Sequence, residues 1–174
     1  MNITRILCPT DFSEASAHAT ELAIVVAGFF KARIWALHVL NPMLMSQPGL
    51  SASSAANQSA APDEGKSDGL PSDQARAGAG RAARAEMAQL RQRVAAPFDA
   101  ALTTGLGVDV TIDFGQPTSR ILERAATLPA DLIVMGTHGR SGLQRWVYGS
   151  VTAKVLRSAS CSMLVVRPTE SELK

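Results

Sequence analysis

The sequence predicts an α/β fold in which a parallel sheet is covered by helices on both faces. Two observations carry this prediction. Short strands alternate with helix-forming segments in the order βαβαβαβαβ. Most of these strands are continuously apolar, which is typical of a parallel sheet buried on both sides. Because crossovers between parallel strands are right-handed, a doubly wound, three-layer α/β/α sandwich is the simplest arrangement.

The first strand, helix and second strand form one βαβ unit. Arg5–Pro9 is an apolar strand that ends at the proline. Ser13 is the expected N-cap of a helix that runs to about Ala27, and Gly28 is in a position to end it. The second strand is Arg33–Leu40, which is again rich in apolar residues.

The composition changes sharply after the second strand. From about Asn41 to Gly80 the chain is rich in Ala, Ser, Gly and Pro and contains no Val, Ile or aromatic residue. Such a segment cannot bury enough apolar surface to offset the entropy of ordering it. Because the part before it is too short to fold alone, we expect residues 1–174 to form a single domain with a flexible insertion over about residues 41–75, clearest at Asn41–Asp73. The insertion is either inert or a regulatory lid, since long loops are often functional.

The second half continues the alternation of helices and strands. An Ala- and Arg-rich segment is expected to be helical until Pro97 interrupts it, and Pro117 suits the first turn of a later helix. Val108, Val110 and Ile112 alternate with polar residues, which indicates the third strand. The remaining predicted segments are the helices Arg76–Val94, Thr118–Thr127 and Ser150–Ser158 and the strands Asp131–Met135 and Ser162–Val166.

Charge and composition exclude several classes of protein. Seventeen Lys and Arg against fifteen Asp and Glu leave a net charge of +2, too small to indicate a nucleic-acid-binding protein. The longest apolar run, Leu22 to Phe30, is far shorter than the roughly 20 residues that cross a bilayer, and no signal-peptide pattern opens the sequence. Two cysteines, Cys8 and Cys161, fit a reducing compartment. We therefore expect a cytoplasmic protein with neither a membrane nor a nucleic acid as partner.

The cysteines and histidines do not have the spacing of metal ligands. His38 and Trp35 lie on a strand, where a core or edge position is expected, and His18 is expected at the surface or in a groove. Cys8 and Cys161 are expected to be buried or weakly reactive thiols on strands that do not pair with each other. No metal site is therefore predicted from these side chains.

In a doubly wound sheet, ligands bind beyond the carboxyl ends of the strands, where the strand order reverses. Thr10 and Asp11 follow the first strand. After the fourth strand, residues 136–142 contain three glycines, which let the backbone approach a ligand closely. Gly149 and Ser150 then open the last helix, whose first N–H groups lack helical partners and form an anion site.

The charge pattern near that helix supports an anionic ligand. From Leu132 to Thr169 there is no Asp or Glu but there are five cations, Arg140, Arg145, Lys154, Arg157 and Arg167. A local positive field at a helix N-terminus favours phosphate groups. The alternative is that Ser150 is only an N-cap and the arginines form a solvated face. Neither G-x-x-x-x-G-K-[ST] nor G-x-G-x-x-G is present, which disfavours a P-loop and the usual dinucleotide site.

Several segments resemble the universal stress protein family. The spacing Gly136-x2-Gly139-x9-Gly149-Ser150 is similar to the ATP-binding motif of that family, and residues 6–13 (Ile-Leu-Cys-Pro-Thr-Asp-Phe-Ser) resemble its first strand and turn. Further matching segments are Leu37-His38-Val39, Phe114-Gly115-Gln116-Pro117, residues 131–136 and residues 163–168. The resemblance covers nearly the whole chain except the insertion.

The resemblance implies a fold, a ligand and a site. The fold is a five-stranded parallel sheet in the order 3-2-1-4-5, similar to that of the adenine nucleotide alpha hydrolases. The ligand is ATP, with Mg²⁺ or Mn²⁺ brought by its phosphates. In the family's arrangement Thr10 and Asp11 would lie near the adenosine, and the backbone of Val39 would meet the adenine. Gly136 and Gly139 would line the ribose and phosphates, with Arg140 close by. The phosphates would be held by Gly149, Ser150 and Val151, and His138 is a further candidate for a phosphate contact.

The resemblance also implies a homodimer and a regulatory role. The last strand would be a sheet edge, and pairing of about Ser162–Arg167 with a second copy would cover it.

The leading hypothesis is a stress-response protein that acts as a nucleotide-dependent regulator or sensor. The alternatives are a slow ATPase or phosphoryl-transfer enzyme using the same pocket, in which only Asp11 stands out as a base, and a protein that works through its dimer surface alone. No catalytic residue is predicted, and ATP, AMP and cyclic nucleotides are not distinguished.

Overall fold

The structure, a computed structural model, describes residues 2–41, 73–137 and 149–167. Its sheet has five parallel strands in the order β3-β2-β1-β4-β5. The strands are β1 Arg5–Thr10, β2 Arg33–Leu40, β3 Val108–Phe114, β4 Leu132–Gly136 and β5 Ser162–Val166. The helices are α1 Glu14–Phe30, α2 Asp73–Ala95, α3 Asp99–Thr103, α4 Pro117–Thr127 and α5 Ser150–Ser158, and a 3-10 turn, Ala96–Phe98, joins α2 to α3. The predicted α/β fold and strand order are confirmed.

The central strand β1 is the point where the strand order reverses. It pairs with β2 from Arg5 opposite Arg33 to Thr10 opposite His38, and its other side pairs with β4. The chain moves outward from β1 through β2 to β3, and then crosses back to β4 and β5. The carboxyl ends of β1 and β4 are therefore where a ligand site is expected.

Each face of the sheet has its own apolar core, because successive side chains of a strand point to opposite faces. One core lies under α1 and the end of α2, and its buried residues include Ile6, Cys8, Ala19, Ala23, Ile34, Val94, Phe98 and Val134. The other lies under α4 and α5, and it includes Leu7, Leu37, Ile121, Ala125, Ile133 and Val155. The two cores pack the helices against both faces of the sheet.

The predicted end of α1 at Gly28 is wrong. The helix continues through Gly28 to Phe30, and Lys31 adopts the left-handed conformation with φ 54° that closes it. The reason lies in packing, since Phe30 contacts the core and stacks edge-on against Phe29 at a centroid distance of 5.0 Å. Burial of Phe30 thus outweighs the tendency of glycine to end a helix.

The interruption predicted at Pro97 is confirmed, because α2 ends at Ala95 and the proline lies in the 3-10 turn. The chain divides into two compact units, residues 1–41 with 91–174 and residues 42–90. Of the second unit the structure describes the α2 residues 73–90. Most of the predicted insertion, residues 42–72, lies outside the described residues, and the single-domain organisation stays a prediction.

The two cysteines lie at separate places in the sheet. Cys8 is fully buried in β1, and this burial raises the pKa of its thiol to about 12. Cys161 is half-buried directly before β5, and partial burial again raises its pKa. Because β4 lies between β1 and β5, the prediction that the two cysteines lie apart, in buried or partly buried positions, is confirmed, and their weak reactivity stays a prediction. In the parts of the chain that the structure describes, no helix is both long and apolar enough to cross a membrane.

Candidate functional site

Gly136 lies at the carboxyl end of β4, where the first turns of two helices meet. A Cβ at this position would lie 2.6 Å from the backbone carbon and oxygen of Ala15 in α1. From the other side, the Thr152 hydroxyl of α5 donates to the Gly136 carbonyl at 2.8 Å. Only glycine allows the backbone of β4 to approach α1 this closely. The N-termini of α1 and α5 therefore flank the same strand end.

Helix α5 begins directly beside that strand end. The Gly149 N–H donates to the Thr137 carbonyl at 2.6 Å, and the Thr137 N–H donates to the Val166 carbonyl of β5 at 2.8 Å. The N-cap of α5 is Gly149, which has no side chain to cap the helix, and Ser150 is the first helical residue and is exposed. The N-cap part of the alternative is therefore wrong, whereas its expectation of solvated cations agrees with the exposed Lys154, Arg157 and Arg167. The first N–H groups of α5 carry the positive end of its dipole.

The loop after β1 is held by hydrogen bonds among its own side chains. The Asp11 Oδ1 accepts from the Ser13 N–H at 3.1 Å and from the Ser13 hydroxyl at 2.5 Å. The Thr10 hydroxyl accepts from the Phe12 N–H at 3.2 Å and shares a hydrogen bond with the Ser16 hydroxyl at 3.2 Å. Ser13 is the predicted N-cap of α1 and accepts from the Ser16 N–H. The loop is thus a preformed turn that fixes the Asp11 backbone.

Phe12 adopts the left-handed conformation, with φ 63°. Its ring lies against the imidazole of His38, with centroids 4.5 Å apart, and the guanidinium carbon of Arg93 lies 4.5 Å from its centre. The His38 Nδ1–H donates to the Thr10 carbonyl at 2.7 Å. His38 is only 8% exposed, so the prediction of a core or edge position is confirmed.

Val39 lies next to this loop, near the end of β2. Alternate residues of a parallel strand direct their backbone groups to opposite neighbours. The Arg33 N–H donates to the Thr4 carbonyl before β1, so odd-numbered residues of β2 face β1. β1 ends at Thr10, and the Phe12 N–H donates to the Thr10 hydroxyl. The Val39 carbonyl therefore faces the space beyond the end of β1.

The structure brings most of the predicted site residues to one edge of the sheet. Thr10, Asp11 and Val39 lie at the ends of the adjacent strands β1 and β2. The remainder of this group, Gly136, Gly149, Ser150 and Val151, lies at the end of β4 and the start of α5. His138, Gly139 and Arg140 lie outside the described residues.

Four residues that support this edge were not predicted. Ser16 and Thr152 are buried hydroxyls, 5% and 4% exposed, that bind backbone carbonyls beside the site. Phe12 and Arg93 come together from the loop after β1 and from α2, which are distant in the sequence. A Ser or Thr in the first turn of an apolar helix is a sequence signal that could have indicated Ser16 and Thr152. No local pattern indicates that Phe12 and Arg93 meet.

A metal centre needs several His, Cys, Asp or Glu side chains close together. Within the three described ranges, no group of three or more His, Cys, Asp or Glu side chains is arranged to hold an ion. A divalent cation at this edge would need most of its ligands from phosphate oxygens and water, as Mg²⁺ commonly does.

Comparison with known proteins gives a consistent result. The model of the universal stress protein family matches residues 2–167. Universal stress protein MJ0531 of Methanocaldococcus jannaschii is 29% identical over 168 residues, which cover 97% of this chain and 84% of that protein.

Three solved structures are similar in fold. The hypothetical protein MJ0577 is similar with a TM-score of 0.70 and 20% sequence identity. The match covers 98% of this chain and 99% of the MJ0577 chain. A universal stress protein in complex with cAMP has a TM-score of 0.61 at 19% identity, covering 96% and 98% of the two chains. One from Archaeoglobus fulgidus in complex with dAMP has a TM-score of 0.53 at 14% identity, covering 95% and 99%. With a family model matching almost its full length, this chain belongs to the universal stress protein family.

Proposed function

We propose that this protein binds ATP at the carboxyl edge of its sheet and acts as a nucleotide-dependent regulator or sensor in the stress response. The observation that carries the proposal is the convergence of the α1 and α5 N-termini on Gly136, at the strand end where the order reverses. Two helix N-termini beside one strand end create a positive field suited to phosphates. Complexes of two structural relatives with cAMP and dAMP are consistent with an adenine nucleotide.

The start of α5 is the proposed phosphate site. Ser150 is exposed and its hydroxyl can donate to a phosphate oxygen, together with the N–H groups of Ser150 and Val151. Lys154, Arg157 and Arg167 are exposed cations near α5 and β5 in sequence, and no acidic residue lies between Leu132 and Thr169. Gly139, Arg140 and His138 are proposed to complete the phosphate site. Mg²⁺ or Mn²⁺ would be held chiefly by the phosphates and water.

The ends of β1 and β2 form the proposed adenosine site. The Val39 carbonyl faces the space beyond β1 and can accept from the exocyclic amino group of adenine. The Asp11 carboxylate, on a turn fixed by Ser13 and Thr10, can accept from a sugar hydroxyl. A backbone acceptor recognises the adenine ring whatever the number of phosphates, so the phosphate site distinguishes ATP from AMP.

Titration calorimetry with Mg-ATP tests this proposal. We expect micromolar binding by the wild-type protein after removal of any co-purified nucleotide. Ser150→Ala should weaken binding about tenfold or more, because a charge-assisted hydrogen bond is lost. Ser158→Ala, at the opposite end of the same helix, is the matched control and should bind like the wild type.

Asp11→Asn tests the proposed adenosine site by the same calorimetric titration. We expect it to weaken binding several-fold, whereas Asp109→Asn, a carboxylate paired with Arg33 near the start of β3, should not. Absence of binding by the nucleotide-free wild type would reject the proposal. Turnover measured on the same samples separates the regulator from a slow ATPase, and we expect no hydrolysis above background.

We further propose a homodimer through β5, over about Ser162–Arg167, because the two edges of the sheet differ. At the β3 edge, Arg91 and Arg120 donate to the outward carbonyls of Val110 and Phe114 at 3.0 and 2.8 Å. Such side chains block the addition of another strand. No comparable side chain caps β5 among the residues that the structure describes.

Val165→Pro is a selective test of that interface. The Val166 carbonyl faces β4, so the Val165 N–H points outward and its loss spares the internal hydrogen bonds. Sedimentation should show a dimer for the wild type and for Val165→Ala, and a monomer for Val165→Pro. A dimer in all three would place the interface elsewhere.

A further inference from the structure

Arg93 connects the last turn of α2 to the loop that follows β1. Its guanidinium carbon lies 4.5 Å from the centre of the Phe12 ring, and that ring packs on His38. We propose that this stack of Arg93, Phe12 and His38 transmits occupancy of the nucleotide site to helix α2. The inference rests on the proposed nucleotide binding and adds a route by which the bound state reaches another element.

The backbone of Phe12 gives this stack two possible states. A φ of 63° is unfavourable for a bulky side chain, and it persists only where the surroundings impose it. The Phe12 N–H donates to the Thr10 hydroxyl, and the ring is held by Arg93 and His38. Loss of the stack would leave the turn held only by its own hydrogen bonds, without the contacts that fix the ring. Phe12 is therefore a residue whose conformation can be biased from either side.

Asp11 connects this residue to the ligand. It directly precedes Phe12, and its Oδ1 accepts from both the backbone and the hydroxyl of Ser13, directly after Phe12. A ligand that binds Asp11 in this turn stabilises the left-handed state of Phe12. The same state presents the ring to Arg93, so ligand binding strengthens the contact with α2. By thermodynamic linkage, the contact with α2 must strengthen ligand binding to the same extent.

Arg93 is suited to this role because its side chain can be replaced without disturbing the core that stabilises the fold. It is exposed on the last turn of α2, whereas its neighbour Val94 is fully buried in the core. A guanidinium over an aromatic ring is a contact of modest strength. Arg93 is thus a positioning residue, whose loss should change the linkage while the fold remains.

Hydrogen exchange of residues 91–95, measured with and without Mg-ATP, tests the proposal. We expect ATP to slow exchange in the wild type and in Arg93→Lys, which keeps the cation. In Arg93→Gln this ATP-dependent change should disappear and Kd should rise about three- to tenfold. Arg91→Gln is the matched control, since Arg91 lies on the same helix but donates to Val110 of β3.

A double-mutant cycle with Phe12→Leu makes the test specific. Leu keeps an apolar side chain but lacks the ring, so the effects of Phe12→Leu and Arg93→Gln on Kd should be strongly non-additive. Additive effects, or wild-type ATP protection in Arg93→Gln, would overturn the inference while leaving nucleotide binding intact. No ATP binding by the wild type would reject the proposed function itself, and the inference with it.

Discussion

The two ends of the sheet use their polar groups in opposite ways. At the amino end, the Asp131 carboxylate accepts from the Thr4 N–H, the Thr4 hydroxyl and the Arg5 N–H at 2.8–2.9 Å and from the Arg5 guanidinium at 3.1 Å. At the carboxyl end, polar groups surround a strand end flanked by two helix N-termini. The amino end joins two strand starts through one carboxylate, whereas the carboxyl end combines an internally hydrogen-bonded loop with two helix N-termini beside one strand end.

The difference shows that charge alone does not identify a site in this fold. Asp131 has the most perturbed carboxylate at the amino end, because hydrogen bonds from Arg5 and Thr4 hold its pKa well below the usual range. Perturbed pKa values often mark functional sites. Here the cause is structural: the hydrogen bonds of Asp131 with Thr4 and Arg5, which we call the clasp, join the starts of β1 and β4. The geometry of strand ends and helix starts is the better guide.

The largest expected effect comes from adding a methyl group at the carboxyl end. Gly136→Ala should lower the free energy of unfolding by about 3 kcal/mol and abolish ATP binding, because the new Cβ overlaps the Ala15 backbone. Urea unfolding measures the first effect and calorimetry the second. Gly28→Ala is the control, since a Cβ there meets nothing within 4 Å and should stabilise α1 by about 0.5–1 kcal/mol. Equal stability of Gly136→Ala and wild type would contradict the close approach.

A smaller effect is expected from opening the clasp at the amino end. Asp131→Asn removes the charge that accepts from Thr4 and Arg5, and it should lower the free energy of unfolding by about 1–2 kcal/mol. The affinity for ATP should not change, because the clasp lies at the far end of the sheet. A parallel loss of affinity would show that the two ends are energetically coupled.

The pH dependence of stability should report the same clasp. Because the pKa of Asp131 is lower in the folded protein, its stabilising effect is fully present above the unfolded value of about 3.9. This stabilisation is lost as the pH falls from there through the folded pKa. In urea unfolding at pH 3–7, the difference between wild type and Asp131→Asn should therefore be constant near neutrality and shrink below about pH 4. A difference that grows on acidification would have the wrong sign.

The smallest effect concerns the thiols. With the pKa of Cys8 raised to about 12, folded protein at pH 8 holds almost no Cys8 thiolate, and the side chain is fully buried. A thiol reagent should therefore modify Cys8 only after unfolding, while half-buried Cys161 reacts slowly in the native state. Cys161→Ser should remove the native-state reaction, and rapid labelling in that variant would contradict the buried position of Cys8.

Local sequence patterns predicted the elements better than their contacts. The bounds of α5 and β5 were predicted to the residue, because both are short, apolar on the buried side and bracketed by small polar residues. The glycine-serine spacing indicated the start of α5. The end of α1 was mispredicted because tertiary packing of Phe30 outweighs a local glycine.

The contacts that shape the candidate site depend on residues distant in the sequence. The approach of Gly136 to Ala15 joins positions more than a hundred residues apart, and the position of Arg93 over Phe12 depends on how α2 ends. Hydrophobic periodicity places each element but does not specify which side chains meet. The sequence therefore predicted that the candidate residues gather at the carboxyl ends of β1, β2 and β4, but not the groups that hold this edge in shape.

Amide chemical-shift mapping with Mg-ATP tests the contrast between the two ends most directly. We expect the largest shifts at Asp11, Val39, Gly149 and Ser150, with Thr4 and Arg5 unchanged. Saturation at micromolar nucleotide, with shifts confined to the carboxyl edge, is the predicted result. No shifts on titration, or shifts concentrated around Thr4 and Arg5, would contradict the assignment of the ligand site to this end of the sheet.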